Sequence, residues 1–223
     1  DYYTKGIDAE REGQFLQAVS YYFQAFRSIE KYLGEAIRTT VGDREVLLVN
    51  EIYAAIQKIL QRVNIEVAPS DVLVNRRVAQ SQIDVVAKAR FDDGSPAVGL
   101  PLTAVFEKGS GDVFPEYTTD ANGEARVLIT RISSTELEQR LRVKVNIDAL
   151  SGTSSSPVYS LIAKTLNVPG APVLLKVQRP LVYLSSEERS LGLVRSTDQI
   201  SNKLKNLLTN NGFEFTNNKN AAD

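Results

Sequence analysis

Phe91-Asp92-Asp93-Gly94-Ser95-Pro96-Ala97-Val98-Gly99-Leu100-Pro101-Leu102, and then Thr119-Asp120-Ala121-Asn122-Gly123-Glu124-Ala125-Arg126-Val127-Leu128-Ile129-Thr130, is the stretch that decides how this chain folds. Two turn clusters, Asp92 to Pro96 and Asp120 to Gly123, stand between segments that alternate apolar and polar residues, the pattern of half-buried antiparallel strands. Asn122-Gly123 tolerates the positive φ of a tight hairpin, while Pro96 and Pro101 keep segment ends out of a central ladder. Outward from this centre, Ile83, Val85, Ala87, Ala89 and Phe91 share one face, with Asp84, Lys88 and Arg90 on the other. Leu102, Ala104 and Phe106 follow, then Ala125, Val127 and Ile129, then Leu141, Val143, Val145 and Ile147 alternating with Arg142, Lys144, Asn146 and Asp148. Four such runs predict a two-layer sandwich over 70–178, with Val72 to Val74 and Val173 to Val177 as its outer strands.

The pattern Asp93-Gly94-x-Pro96-x-x-Gly99-x-Pro101-Leu102 with Thr119-Asp120-x-x-Gly123-x-Ala125 resembles the bacterial immunoglobulin-like domains of cell-envelope and secreted proteins. The resemblance implies an envelope setting and a β-sandwich.

Residues 1–67 read as helical. Phe15, Val19, Tyr22, Phe23, Phe26, Ile29 and Leu33 recur at three and four, which predicts one helix from about Phe15 to Arg38, preceded by a shorter one from Tyr2 to Glu12 ending at Gly13. A third helix is expected from about Asp43 to Val63, burying Leu47, Val49, Ile52, Tyr53, Ile56, Ile59, Leu60 and Val63 against the long one. Tyr2, Gly6, Ala9, Gly13, Phe15, Ala18, Tyr22 and Ala25 resemble one tetratricopeptide repeat in type and spacing. That resemblance implies a peptide-binding face on the first helix at Tyr3, Ile7, Glu10 and Arg11. Ordinary surface, or contact with an upstream element, is the alternative for these four.

Ala68-Pro69 closes the helical region. Ser134 is expected to cap a short helical turn before Leu137, Ser151 to Pro157 reads as a flexible loop, and Val158 to Leu166 as a short helix or an irregular strand. Past Pro180, Leu181 to Leu184 reads as a strand. A helix starting near Ser196 or Thr197, with Ile200, Leu204, Leu207 and Leu208 on one face, ends at Asn211-Gly212, and Phe213 opens a further strand. With Asn-Lys-Asn-Ala-Ala-Asp after it, this partial βαβ unit over 180–223 resembles the small α/β domain of the TolB amino-terminal and LPP20-like families, and would need further elements to cover its sheet. The fold class is therefore multidomain α plus β: a tetratricopeptide-like hairpin with a third helix, an immunoglobulin-like sandwich, and a partial βαβ unit.

Among 223 residues there is no Cys, His, Met or Trp, which excludes disulfides, thiolate or imidazole metal sites and any His-dependent catalytic triad. With 26 basic against 27 acidic residues the chain carries no overall footprint for nucleic acid. No apolar run is long enough to span a membrane. A chain opening on Asp1 reads as a processed or trimmed product, compatible with a signal peptide, a lipid anchor or a further domain upstream. Ser28-Ile29-Glu30-Lys31 matches a Ser-x-x-Lys pattern but lies within a helix and lacks the companion motifs of that chemistry. Asp120 to Glu124, with Asp92, Asp93 and Asp112 as neighbours, carries part of a calcium loop without its spacing, so a turn is expected. Glu187-Glu188 reads as a charged turn rather than a catalytic pair, and Gly109-Ser110-Gly111 as a hairpin loop rather than a phosphate cradle.

No catalytic residue, cofactor or metal is expected. The expected function is a non-catalytic scaffold or assembly protein of the periplasm or outer membrane, contacting other envelope proteins singly or within a large complex. The tips at Asp92 to Pro96 and Gly109 to Phe114 are further contact candidates. One alternative is a carbohydrate or peptidoglycan binder using Phe114, Tyr117 and Tyr159 as exposed stacking surfaces; another is the accessory region of a larger enzyme.

Overall fold

The computed structural model describes all residues except 33–34, 76–81, 135, 153–156, 186, 192, 197 and 223. Helix α1 (Tyr2–Arg11) begins under the Asp1 carboxylate, which accepts the Tyr3 amide at 2.8 Å. It stops where Gly13 takes φ +75° and the Gly13 and Gln14 amides return to the Glu10 and Ala9 carbonyls, the double bond of a Schellman cap. Helix α2 (Phe15–Ile29) then runs back along it. Gly6 permits their approach: a Cβ there would stand 2.5 Å from the Tyr22 ring.

The helix expected to reach Arg38 ends sooner, passing into a 3₁₀ turn over Glu30–Tyr32; residues 33 and 34 lie outside the described residues. Strands β1 (Arg38–Val41) and β2 (Arg44–Leu47) follow as an antiparallel hairpin, and only then comes α3 (Leu48–Gln61). The reason is local. Thr39, Thr40 and Val41 are β-branched, and Gly42, at φ +60°, with Asp43 forms the two-residue connection that a hairpin favours. Helix α3 packs on α2 as anticipated, burying Ile52, Ile56, Ile59 and Leu60.

Val63, read from its spacing as the last helical residue, instead opens β3 (Val63–Ala68), where Val63 and Ile65 are buried and Asn64 and Glu66 exposed. After the cis Ala68–Pro69 bond the chain enters β4 (Asp71–Asn75) in the opposite sheet. The remaining sandwich strands are β5 (Ile83–Phe91), β6 (Pro101–Lys108), β7 (Gly111–Val113), β8 (Tyr117–Thr118), β9 (Glu124–Ile132), β10 (Glu138–Val145) and β11 (Gly170–Gln178). One sheet has the order β3-β5-β9-β7, the other β4-β11-β10-β6-β8, with only β4 and β11 parallel. In immunoglobulin lettering these are A-B-E-D facing G-F-C, with a first strand divided between the sheets. The alternating runs send the expected side inward, with Val85, Ala87, Leu102, Val127, Leu141 and Val143 all buried, except that the last run stops at Val145: Asn146, expected on the polar side, is buried as the N-cap of the helix that Ile147 opens. Of the two expected outer strands, β4 is an edge, whereas β11 lies inside its sheet between β4 and β10.

Asp120 to Gly123 is a turn, but β8 and β9 on either side belong to different sheets. It therefore carries the chain across the sandwich instead of closing a ladder hairpin. The Asp120 carboxylate accepts the Asn122 and Glu124 amides at 2.8 and 2.9 Å. Gly123, at φ +75°, lies so close to β5 that a Cβ would stand 2.3 Å from the Ala89 carbonyl oxygen.

Between β10 and β11 lie two short helices, α4 (Ile147–Ser151) and α5 (Pro157–Thr165). The second settles the Val158 to Leu166 segment as helix; of the loop expected before it, residues 153–156 lie outside the described residues. No helical turn forms among the described residues near Ser134, whose hydroxyl accepts the Glu136 amide at 3.2 Å in an irregular turn before β10. At the C-terminal end, β12 (Leu181–Tyr183) pairs in parallel with β15 (Glu214–Thr216) across α6 (Asp198–Asn210). The expected cap forms at Asn211-Gly212, with the Phe213 amide on the Leu208 carbonyl at 3.1 Å; Thr197, one of the two starts considered, lies outside the described residues. Glu187-Glu188 is no turn: it opens β13 (Glu187–Ser190), antiparallel to β14 (Leu193–Ser196), a hairpin inserted before α6.

Candidate interaction surfaces

The helices sit on the end of the sandwich where β3 begins and the β5–β6 and β10–β11 connections emerge. Phe15 packs on Phe91 with ring centroids 4.9 Å apart, and Phe23 meets Tyr159 of α5 edge-on at 5.9 Å. Polar ties surround these rings. The Arg62 guanidinium donates twice to the Asp92 carboxylate at 2.8–2.9 Å, Tyr53 donates to the Thr165 carbonyl at 3.0 Å, and Gln57 exchanges two hydrogen bonds with the Asn167 backbone at 2.8 and 3.1 Å. Arg27 donates to the Gly152 carbonyl. The buried apolar side chains of helices and sandwich form one continuous cluster.

Of the four α1 residues, three face this interior and one faces solvent. Tyr3 lies 5.9 Å from the Tyr22 ring, half-buried, and Ile7 packs against the core. Glu10 accepts the Tyr22 hydroxyl at 3.0 Å and pairs with Lys58 of α3 at 2.5 Å. Burial and then the Glu10 hydrogen bond push the Tyr22 phenol well above its ordinary value, and burial does the same to Tyr3. Arg11 is exposed, 3.7 Å from Asp8.

The tip at Asp92 to Pro96 is likewise engaged. The Arg62 hydrogen bonds hold the Asp92 carboxyl below its usual range, and Ser95, through hydroxyl and amide, does so for Asp93. Asp120, the central residue of the calcium-like stretch, is lowered by the Glu124 and Asn122 amides, so its oxygen serves the turn. Ser28 donates to the Gln24 carbonyl at 2.9 Å, while Lys31 lies over the Tyr32 ring.

The three aromatics of the glycan reading are not one exposed surface. Tyr159 is 3% exposed, with its hydroxyl donating to the Ile147 carbonyl and contacting Ser151. Tyr117 is half-buried and donates to the Leu128 carbonyl at 3.4 Å; only Phe114 stands out in solvent. Their phenol groups serve as internal donors, a use that alternating patterns do not reveal.

Sequence reading also passed over Gln139. Fully buried, it donates to the Ser134 and Glu136 carbonyls at 3.2 and 3.1 Å and accepts the Ser110 amide at 3.3 Å. Gly109 packs against it so closely that a Cβ would stand 2.3 Å from its oxygen. The signal available was a polar residue at an inward position of β10, in phase with Leu141.

No helix among the described residues is long and apolar enough to cross a membrane. No family model matches the chain, and no curated protein matches it. Among solved structures, the D00-D0 domain of Intimin is similar over 50% of this chain and 45% of its own length, at 11% identity and TM-score 0.32. The Yersinia pseudotuberculosis adhesin InvE is similar over 58% of this chain and 30% of its own, at 15% identity and TM-score 0.35. A conjugative transposon lipoprotein from Bacteroides eggerthii is similar over 51% of this chain and 96% of its own, at 14% identity and TM-score 0.30. This chain thus spans less than half of the Intimin and InvE chains. Overlap at that level does not transfer a function.

Proposed function

We propose that this chain is a non-catalytic scaffold or assembly protein of the bacterial cell envelope that works by contacting other proteins. The observation that carries the reading is how its reactive side chains are employed. Glu10, Asp92, Asp93 and Asp120 each hold an internal donor, and the buried Tyr22 and Tyr159 hydroxyls each serve an internal contact. General acid or base chemistry needs a group poised to exchange a proton near working pH, and the carboxyls lowered here are held as anions. In this reading a helical layer over 1–62 and an immunoglobulin-like sandwich over 63–178 form a platform, and the partial α/β unit over 180–223 is its attachment to further elements. The exposed Arg11, with Tyr3, Ile7 and Glu10 setting its position, is one contact point on the helices. The envelope setting rests on the resemblance carried by residues 93–125.

The test pairs two measurements on the purified chain. Ester, phosphoester, glycoside and peptide substrates should turn over no faster than in buffer. A photo-crosslinker placed at Arg11 should capture a discrete protein in envelope fractions. Turnover abolished by one substitution would overturn the proposal.

A further inference from the structure

Both outer faces carry ion pairs, Lys176 with Asp71 at 3.1 Å and Lys108 with Glu136 at 3.9 Å among them on the β4-β11-β10-β6-β8 sheet, and what sets the two apart is the row of cations along β10. On the β3-β5-β9-β7 sheet, Lys88 pairs with Glu124 at 2.6 Å and Arg126 with Asp84 at 3.1 Å. On the other sheet, β10 turns Arg140, Arg142 and Lys144 outward in succession, between inward Gln139, Leu141, Val143 and Val145. Arg142 has Glu107 at 3.6 Å, but Arg140 and Lys144 have no ion-pair partner among the described residues. Beside Arg142 and Lys144 in register stand Val105 and Thr103 of β6 on one side and Pro172 and Gly170 of β11 on the other, so no neighbouring carboxylate on those strands lies directly opposite.

The row leads into a groove of about 760 Å3. Its floor includes Thr103, Val105 and Lys144, one wall is α5 with Lys164, which has no ion-pair partner among the described residues, and the other is Pro115-Glu116. The Asp148 carboxylate also lines it. The volume falls within the range of clefts that hold ligands, roughly 300–1,000 Å3.

We propose that the outer face of β10, together with the groove beneath α5, is a docking site for an extended acidic segment of a partner protein. Same-face residues of a strand repeat at about 6.8 Å, so Arg140, Arg142 and Lys144 present cations at the spacing at which an extended peptide presents alternate side chains. Acidic residues at every second position then meet one cation each. Two features favour a polypeptide over another polyanion. Val105 and Pro172 offer apolar contact beside the cations, and the Glu116 and Asp148 carboxylates can accept the N–H donors that a peptide backbone has and a phosphate chain lacks. The proposal rests on the protein-contact reading above and supplies the chemistry of the partner.

The experiment measures fluorescence anisotropy of the full chain with labelled decapeptides alternating Glu and Val, Lys and Val, or Gln and Val. Only the Glu-Val peptide should bind, weakening as sodium chloride rises from about 50 mM to about 500 mM. Arg140→Glu and Lys144→Glu should each weaken binding about tenfold. Arg131→Glu, on the opposite sheet, should leave it unchanged, and circular dichroism should show all three variants folded. Equal affinity for the Lys-Val peptide, full competition by a single-stranded oligonucleotide, or indifference to both β10 reversals overturns the proposal. A crosslinked partner at Arg11 with no Glu-Val binding would sink this site while leaving the contact reading in place.

Discussion

Replacing Phe23 by Ala tests whether helices and sandwich stand as one folded body. Phe23 is 1% exposed and faces Tyr159, itself 3% exposed, across the boundary between α2 and the β10–β11 insertion. Truncating a phenylalanine in such a setting costs about 3–5 kcal/mol, of which the edge-on ring pair accounts for about 0.5–1.5. For a chain of this size each kcal/mol moves the melting temperature by about 2–4 °C, so a fall of about 6–20 °C is expected. The assay is urea titration followed by far-ultraviolet circular dichroism, weighted to helix, and by tyrosine fluorescence, since the chain has 9 Tyr and no Trp. Tyr159 and Tyr117 report on the sandwich, Tyr22 on the helices. Both probes should move together to lower denaturant in the variant. Tyr159→Phe, which keeps the ring and removes the hydroxyl, should cost only about 1 kcal/mol. If Phe23→Ala shifts the helical signal alone while the sandwich unfolds at its original midpoint, the shared core is not cooperative and the helices are an independent domain.

Gly6→Ala sets helix propensity, a gain of about 1 kcal/mol, against a Cβ placed 2.5 Å from the buried Tyr22 ring. Overpacking of that kind costs about 1–3 kcal/mol, so thermal melting should show a net loss rather than the usual gain. Gln139→Leu leaves the Ser110 amide and two carbonyls without their partner, and chemical denaturation should show a loss of about 2–4 kcal/mol despite the more apolar residue. Asp92, Asp93 and Asp120 all have folded values below the ordinary carboxyl value. Their contribution is therefore complete above about pH 4, the unfolded value, and lost as pH falls through the lower folded values. Urea midpoints should drop over that acid range, and less steeply in Asp92→Asn.

The sandwich was readable because a two-residue period survives wherever one face is buried and the other wet. Leu141-Arg142-Val143-Lys144 could be assigned inside and outside without any neighbour in view. Helix α2 was readable for the same reason at its own period, and Gly13 marked where α1 had to stop. The misreadings fall where one period shades into another. Leu47 fits the count of the third helix and so draws Asp43 to Leu47 into it, yet the β-branched run before them and Gly42-Asp43 make a hairpin there. Val63 fits both the last turn of α3 and the first inward position of β3. The site residues were harder, because partner choice is a tertiary property. Nothing local distinguishes Glu10, taken up by Tyr22 and Lys58, from a carboxylate left free, nor Tyr159, held beneath Phe23, from a ring open to solvent.

The placement of the helices also decides where on this molecule recognition can occur. Loops at the ends of such a sandwich are its usual contact points, being free of the ladder and open to variation. Here the end bearing the β5–β6 and β10–β11 connections is occupied: Asp92 is clamped by Arg62, Phe91 lies under Phe15, and the Thr165 and Asn167 backbone is bonded to α3. Opening that end would forfeit the same contacts that Phe23→Ala is designed to weaken, a cost a modest ligand does not repay. Sheet faces are left as the broad surfaces, and on one of them Lys88 and Arg126 are each matched by a carboxylate on the neighbouring strand. The other leaves cations in a row beside a groove, which is why a partner's acidic strand, rather than a ligand held between loops, is the occupant that this architecture favours.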